Sequence, residues 1–208
     1  SLFPVIDGEV VPGVPEELIA DGAAAGIPLL IGTTRDEFRL FLVPTGVAGG
    51  VTAEALPVLA ARYGWPQGVV ETYAANRPAA SPGDVVCAIL TDAAFRAPTA
   101  RLAAAHHAAG GVVQVYEFDW ETPVAGLGAC HALELAFVFD TLGTGALMAG
   151  EAAPQALAEQ MHRSWVAFGR EGDAGWPRWT PEHTAVMTFD AASCVVVGPR
   201  ADELALWG

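Results

Sequence analysis

The chain has 208 residues, enough for one domain or a large part of a bigger one, with 52% hydrophobic and 16% charged residues, against about 25% charged in an average soluble domain. Its 10 basic residues, all arginine, face 24 acidic ones, a net charge of −14 that repels polyanions and excludes nucleic acid and anionic membrane as partners. The missing lysine removes a phosphate-binding P-loop, and the apolar content excludes disorder while leaving room for more apolar surface than the chain covers by itself.

In chain order, Phe3-Pro4-Val5-Ile6-Asp7-Gly8 reads as an extended segment closing in a turn. Pro15-Glu16-Glu17-Leu18-Ile19 places proline and acids where a helix N-terminus favours them, with Gly22 as the stop. Ile27 to Ile31 is a continuously apolar run ending at Gly32, the pattern of a parallel strand buried on both faces. Thr33 to Glu37 follows, then a short helix from Phe38 to Val43, stopped before Pro44, and a glycine-rich loop from Gly46 to Gly50. Helices are expected over about Thr52–Tyr63 and Gln67–Asn76. Ser81-Pro82 caps a long helical stretch running to Ala109, broken near Pro98 and closed by Gly110-Gly111. Val112 to Phe118, rich in β-branched and aromatic residues, is the next strand, and the loop Asp119–Cys130 delivers His131. Leu157, Met161, Trp165 and Phe168 form one face of an amphipathic helix over Pro154–Arg170. After a loop from Trp176 to Pro181, Ala185–Asp190 and Cys194–Pro199 read as a closing hairpin. Strands alternating with helices give an α/β layered fold.

The longest stretch free of Asp, Glu and Arg, Leu102 to Tyr116, contains two histidines and falls short of the ~20 apolar residues of a membrane span. No signal peptide is visible, although Ser1 in place of Met leaves room for a removed N-terminus. Cys87, Cys130 and Cys194 are odd in number and widely spaced, against a disulfide framework or zinc site and in favour of a reducing, cytoplasmic compartment. Gly126-x-Gly128 and Gly143-x-Gly145 lack the third glycine of a dinucleotide fingerprint. The adjacent His106 and His107 point about 100° apart on a helix and read as a solvated face rather than a metal pair. Cys130 reads as a small buried hydrophobe rather than a nucleophile. No cofactor and no metal are expected.

What remains is positional. Catalytic groups of doubly wound folds sit on loops past the carboxyl ends of strands. Glu37 follows the first strand and His131 the second, in the order acid then histidine that closes an α/β-hydrolase triad. Spacing alone leaves two bland alternatives open: Asp36 and Glu37 as caps of the next helix, and His131 as an ordinary hydrogen-bonded loop histidine.

At these loops the sequence resembles the C-terminal half of a type B carboxylesterase, the α/β-hydrolase family that includes cholinesterases and bacterial para-nitrobenzyl esterases. The stretches that carry the resemblance are Pro4-Val5-Ile6-Asp7-Gly8, Pro28 to Thr33 with Arg35-Asp36-Glu37, Thr91 to Pro98, Val115-Tyr116-Glu117-Phe118, Gly128 to Phe139, Trp165 to Asp173 and Trp176-Pro177-Arg178-Trp179. The resemblance implies an incomplete sheet of mostly parallel strands flanked by helices, with residues 1–208 as one C-terminal segment whose nucleophile-bearing N-terminal half is missing. It implies Glu37 as the triad acid, His131 as the general base and Glu134 as a second acid near the histidine. Family members often carry glycine after the triad acid, where this chain has Phe38. The serines Ser1, Ser81, Ser164 and Ser193 all lie outside a G-x-S-x-G motif, so two-thirds of a triad is present and the chain alone is expected to be inactive. The implied partners are a small-molecule carboxylic ester and the N-terminal half of the same enzyme, or self-association over an exposed apolar face. A non-catalytic cholinesterase-like interaction domain is the rival reading, and a stand-alone domain of unrelated activity a third.

Overall fold

The structure, a computed structural model, describes residues 4–208, so Phe3 of the leading segment lies outside the described residues. The segment does end in a turn: Asp7 Oδ1 accepts the amides of Glu9, Val10 and Val11 at 2.9–3.0 Å. Helix α1 (Pro15–Ala20) begins on its proline, with Glu16 and Glu17 in its first turn. Strand β1 spans Leu29–Thr34 rather than starting at Ile27, which is 66% exposed and precedes a proline that has no N–H for a ladder.

Between β1 and β2 (Val113–Phe118) the chain is helical: α2 (Arg39–Leu42), α3 (Val47–Gly50), α4 (Ala55–Tyr63), α5 (Val69–Ala75), α6 (Pro82–Thr91) and α7 (Ala97–Ala108). The stretch expected to be a glycine-rich loop therefore holds the single turn α3. Helix α6 starts with a reciprocal capping box between Ser81 and Asp84. The break in the long helix falls on a π-helical segment, Asp92–Arg96, because Pro98 sits in the first turn of α7, where its missing N–H costs no hydrogen bond. His106, expected on a solvated face, is buried, with Nε2 3.0 Å from the Ile27 carbonyl; the carbonyl can only accept, so Nε2 donates.

Beyond β2 come α8 (Leu135–Val138), α9 (Ala146–Ala149), α10 (Gln155–Glu171), β3 (Ala185–Phe189), β4 (Cys194–Val197), α11 (Ala201–Leu204) and a closing 3₁₀ turn, Ala205–Trp207. The sheet has the order β1-β2-β3-β4. β1 runs parallel to β2 from Leu29↔Val113 to Thr34↔Phe118, β2 parallel to β3, and β3 antiparallel to β4. Strand alternation divides the sheet into two faces. Tyr116, Phe118, Met187 and Phe189 pack with Phe137, Leu157, Met161, Trp165 and Trp176, while Ile31, Val113, Val115 and Val186 pack against Ala103 and Trp179. β1 was expected to be buried on both faces, yet it is half-buried over Leu29–Gly32, because among the described strands it has a single neighbour and forms one edge. The fold is thus an α/β layer with a mixed, incomplete sheet. No helix of the described residues is long and apolar enough to cross a membrane.

Charges that enter the interior do so in pairs, as desolvation requires. Arg96 of the π segment holds Asp92 and Glu117, and Arg200 shares Glu117. Buried Glu203 pairs with Arg77 and accepts from Asn76 at 2.9 Å, which anchors the C-terminal turn on α5.

The ladder between β1 and β2 depends on Gly32. A Cβ there would lie 2.3 Å from the Tyr116 carbonyl oxygen and 2.4 Å from its ring. Gly32→Ala is expected to lower the urea midpoint by the equivalent of about 2–3 kcal/mol, the upper end of overpacking costs. Gly49→Ala, whose Cβ would meet nothing within 4 Å, should be neutral or raise it by up to ~1 kcal/mol through helix propensity.

Candidate active site

Parallel strands end on the same side of the sheet, so β1 and β2 deliver their following loops to one rim. The turn after β1 begins where Arg35 N–H donates to Phe118 O at 2.9 Å, and Asp36 N–H donates to Ala129 O at 2.9 Å. Arg96 reaches in with Nη2 3.1 Å from the Arg35 carbonyl, and Phe38 N–H donates to Thr91 Oγ1 at 3.1 Å. Phe38 itself adopts ordinary right-handed helical torsions, so the turn does not need the glycine found there in many relatives of the type the sequence resembles.

Within this turn Glu37 is 4% exposed, and both of its oxygens are engaged. Oε1 accepts the Thr34 amide at 2.7 Å, and Oε2 lies 2.5 Å from Nδ1 of His131. The carboxylate can only accept, so Nδ1 carries the proton and the lone pair of the neutral ring is left on Nε2. The His131 side chain is 39% exposed, and Nε2 makes no hydrogen bond among the described residues. Phe41 and Phe95 hold the ring from two directions, each with its centroid 5.2 Å away. Phe95 comes from the π segment, a kind of helical irregularity frequent at functional sites. The residue after the histidine, Ala132, has φ +63°, a left-handed conformation that costs a non-glycine residue about 1–2 kcal/mol. Such an arrangement can take a proton at Nε2 and stabilise the resulting imidazolium through Glu37.

Glu134 lies behind this pair. Its Oε2 is buried without a hydrogen-bond partner, and burial, reinforced by the Glu37 charge, pushes its carboxyl up to about 7. Cys130 is fully buried, and burial raises its thiol to about 11, which keeps it protonated and unsuited to nucleophilic attack. The described serines stand elsewhere: Ser81 caps α6, Ser164 lies on α10, and Ser193 closes the β3–β4 turn by donating to Asp190 O at 3.0 Å. An apolar cavity of about 220 Å³ lined by Ala100, Ala103, Val115, Trp179 and Val186 opens on the α7 face and includes neither Glu37 nor His131. No group of three or more His, Cys, Asp or Glu among the described residues is placed to hold a metal ion.

Sequence reasoning reached Glu37, His131 and Glu134, and the structure gathers all three. It missed Phe41 and Phe95, whose role arises from tertiary contact and leaves no local pattern. It weighed Asp36 only as a cap of the next helix, whereas its carboxylate accepts the Ala129 amide of the other loop at 3.1 Å; two adjacent acids at the end of a strand were the available signal.

The chain matches the carboxylesterase family over residues 1–207. It is 32% identical to para-nitrobenzyl esterase of Bacillus subtilis (strain 168) over 212 residues, which covers 96% of this chain and 42% of that protein. With phenmedipham hydrolase of Pseudarthrobacter oxydans it shares 29% identity, over 99% of this chain and 42% of the other. The crystal structure of the Geobacillus stearothermophilus carboxylesterase EST55 superimposes with a TM-score of 0.85 at 35% identity, covering 99% of this chain and 45% of that one. The chain therefore spans less than half the length of these relatives, and with a family match over nearly every residue it belongs to the carboxylesterase family.

Proposed function

We propose that residues 1–208 are the C-terminal segment of a serine carboxylesterase that hydrolyses neutral or hydrophobic carboxylic esters, with Glu37 as the acid and His131 as the base of its triad. The observation that carries this reading is the 2.5 Å contact between His131 Nδ1 and Glu37 Oε2, with Nε2 turned outward. In this scheme Nε2 takes the proton of a serine hydroxyl supplied by the N-terminal half. That oxygen attacks the ester carbonyl, and the same proton then goes to the departing alcohol. Water repeats the cycle on the acyl-serine and releases the acid. Glu37 stays ionised throughout, holding the ring in the Nδ1–H tautomer and balancing the imidazolium. The rings of Phe41 and Phe95 beside the histidine favour an apolar substrate, and the net charge of −14 disfavours an anionic one. Three free cysteines fit a reducing, cytoplasmic setting. A purely interaction-serving domain has no use for a buried acid locked to a half-exposed imidazole, which weighs against the rival reading.

The N-terminal half would also cover the open edge of β1 and the exposed side chains Ile27, Phe41, Leu135, Phe139 and Leu147. In its absence the chain is expected to bind the dye ANS or to self-associate; a monodisperse monomer that leaves the dye dark would contradict this account.

The isolated chain should give no p-nitrophenyl ester turnover above buffer, and clear turnover would refute the fragment reading. In the full-length protein His131→Ala should leave no more than a few per cent of activity, while Glu37→Gln should cut kcat by about 10³–10⁴-fold, the scale for a triad acid replaced by its amide. Glu134 adds a pH dependence. Its carboxyl loses its proton near 4.5 when unfolded and near 7 when folded, so between those values the folded state holds more protons. Stability from this group is present below pH 4.5, falls as pH rises to about 7 and is then flat. Glu134→Gln should remove that loss, gaining up to ~3 kcal/mol on the parent between pH 4.5 and 8 in urea melts; parallel profiles would show that Glu134 is not held neutral.

A further inference from the structure

We propose that Asp36 is the positioning residue that sets the distance between Glu37 and His131, by clamping the turn after β1 to the loop after β2. This rests on the reading of Glu37 and His131 as a working pair. Two hydrogen bonds make the clamp, and both involve the same two residues: Asp36 N–H donates to Ala129 O at 2.9 Å, and Ala129 N–H donates to Asp36 Oδ2 at 3.1 Å. Glu37 is the next residue on one strand of the clamp, and His131 stands two residues beyond Ala129 on the other. With so few rotatable bonds between the clamp and the pair, a shift at position 36 has little chain in which to relax before it reaches Oε2 and Nδ1.

Neighbouring groups hold the Asp36 carboxylate in place. Arg35 Nε and Nη2 donate to the same Oδ2 at 3.1 and 2.9 Å, and Arg35 continues to Asp119 at 2.6 Å and Glu121 at 2.5 Å, both past the end of β2. On the far side the loop comes so near that a Cβ on Gly128 would lie 2.5 Å from Oδ2, at φ +61°. Position 128 thus admits only a residue without a side chain if the clamp is to close. Ala129 is fully buried, so an unmatched amide there has no water to turn to. The other ties of the turn to this loop, Arg35 to Asp119 and Glu121 and Arg39 Nε to the Gly126 carbonyl at 2.6 Å, meet it five or more residues before His131, and those through Phe118 O, Thr91 Oγ1 and Arg96 fasten the turn to β2, α6 and the π segment, so the Asp36–Ala129 bonds act nearest the pair.

The test is proton NMR on the full-length protein, with the N-terminal half in place over the dyad. The His131 Nδ1–H, bonded to a carboxylate at 2.5 Å, should resonate far downfield of the amide envelope, assigned by its loss in His131→Ala and in Glu37→Gln. Asp36→Ala should abolish it or speed its exchange with water about tenfold, the scale of one lost hydrogen bond, while far-UV circular dichroism stays that of the parent. Asp36→Asn, whose amide oxygen still accepts from Ala129, should keep it. Survival of the resonance with unchanged exchange in Asp36→Ala would overturn the clamp and leave the dyad standing; its absence from the unaltered protein would overturn both. Should Asp36→Ala fail to fold, Asp36→Asn and Gly128→Ala decide instead: retention in the first with loss in the second supports the clamp, and the reverse pattern in either sinks it.

Discussion

A carboxylate taken out of water must have its oxygens matched, and the rim of this sheet is organised around that demand at Glu37. One oxygen is matched by the backbone of Thr34 and the other by the imidazole of His131. The backbone bond is local, three residues away along the same turn. The imidazole has to arrive from another strand, so satisfying the acid and bringing the two loops together are one and the same event. Burial makes the pairing stronger, and it also makes every support of the two loops matter.

The parts of the molecule far from the rim serve this arrangement through packing and buried charge. Arg96 spans the π segment, β2 and the carbonyl of Arg35, joining the helix that carries Phe95 to the turn that carries Glu37. Gly32 lets β1 lie close enough to Tyr116 for the parallel ladder to run as far as Thr34. Without that closeness the turn after β1 would leave the sheet early and the acid would miss its partner. The left-handed torsion at Ala132 stands at the opposite end of the same device, where the chain bends away once it has presented the histidine.

The fold was legible wherever a local pattern decides it. The apolar run ending at Gly32, the branched residues of β2 and the Leu157–Phe168 stripe all became elements of the expected kind, and the N-cap at Ser81 was readable from Ser-Pro, though not its reciprocal bond with Asp84. The single turns α3, α9 and α11 were not, since one turn carries no periodicity, and the depth of β1 was overstated because a sequence does not say which strand lies at an edge. His106 was misjudged for a related reason: an alanine-rich helix has no polar contrast to show which side faces in. The convergence of Glu37 and His131 was suggested by strand order, while the aromatic flanks of the ring and the Asp36–Ala129 bonds arise between segments more than thirty residues apart and have no local trace.

The π-helical turn at Asp92–Arg96 fits one residue more into its coil than an α-helix of the same rise would hold. Losing any one of its residues would restore regular winding with the flanking helices still in register, but it would change the spacing of Asp92, Phe95 and Arg96 along the coil. Phe95 would then leave the imidazole, or Arg96 would leave Asp92 and Glu117; both cannot stay. The surface turns of this chain can tolerate insertions and deletions during divergence, but this wide coil cannot, and its length should persist for as long as the dyad beside it is kept.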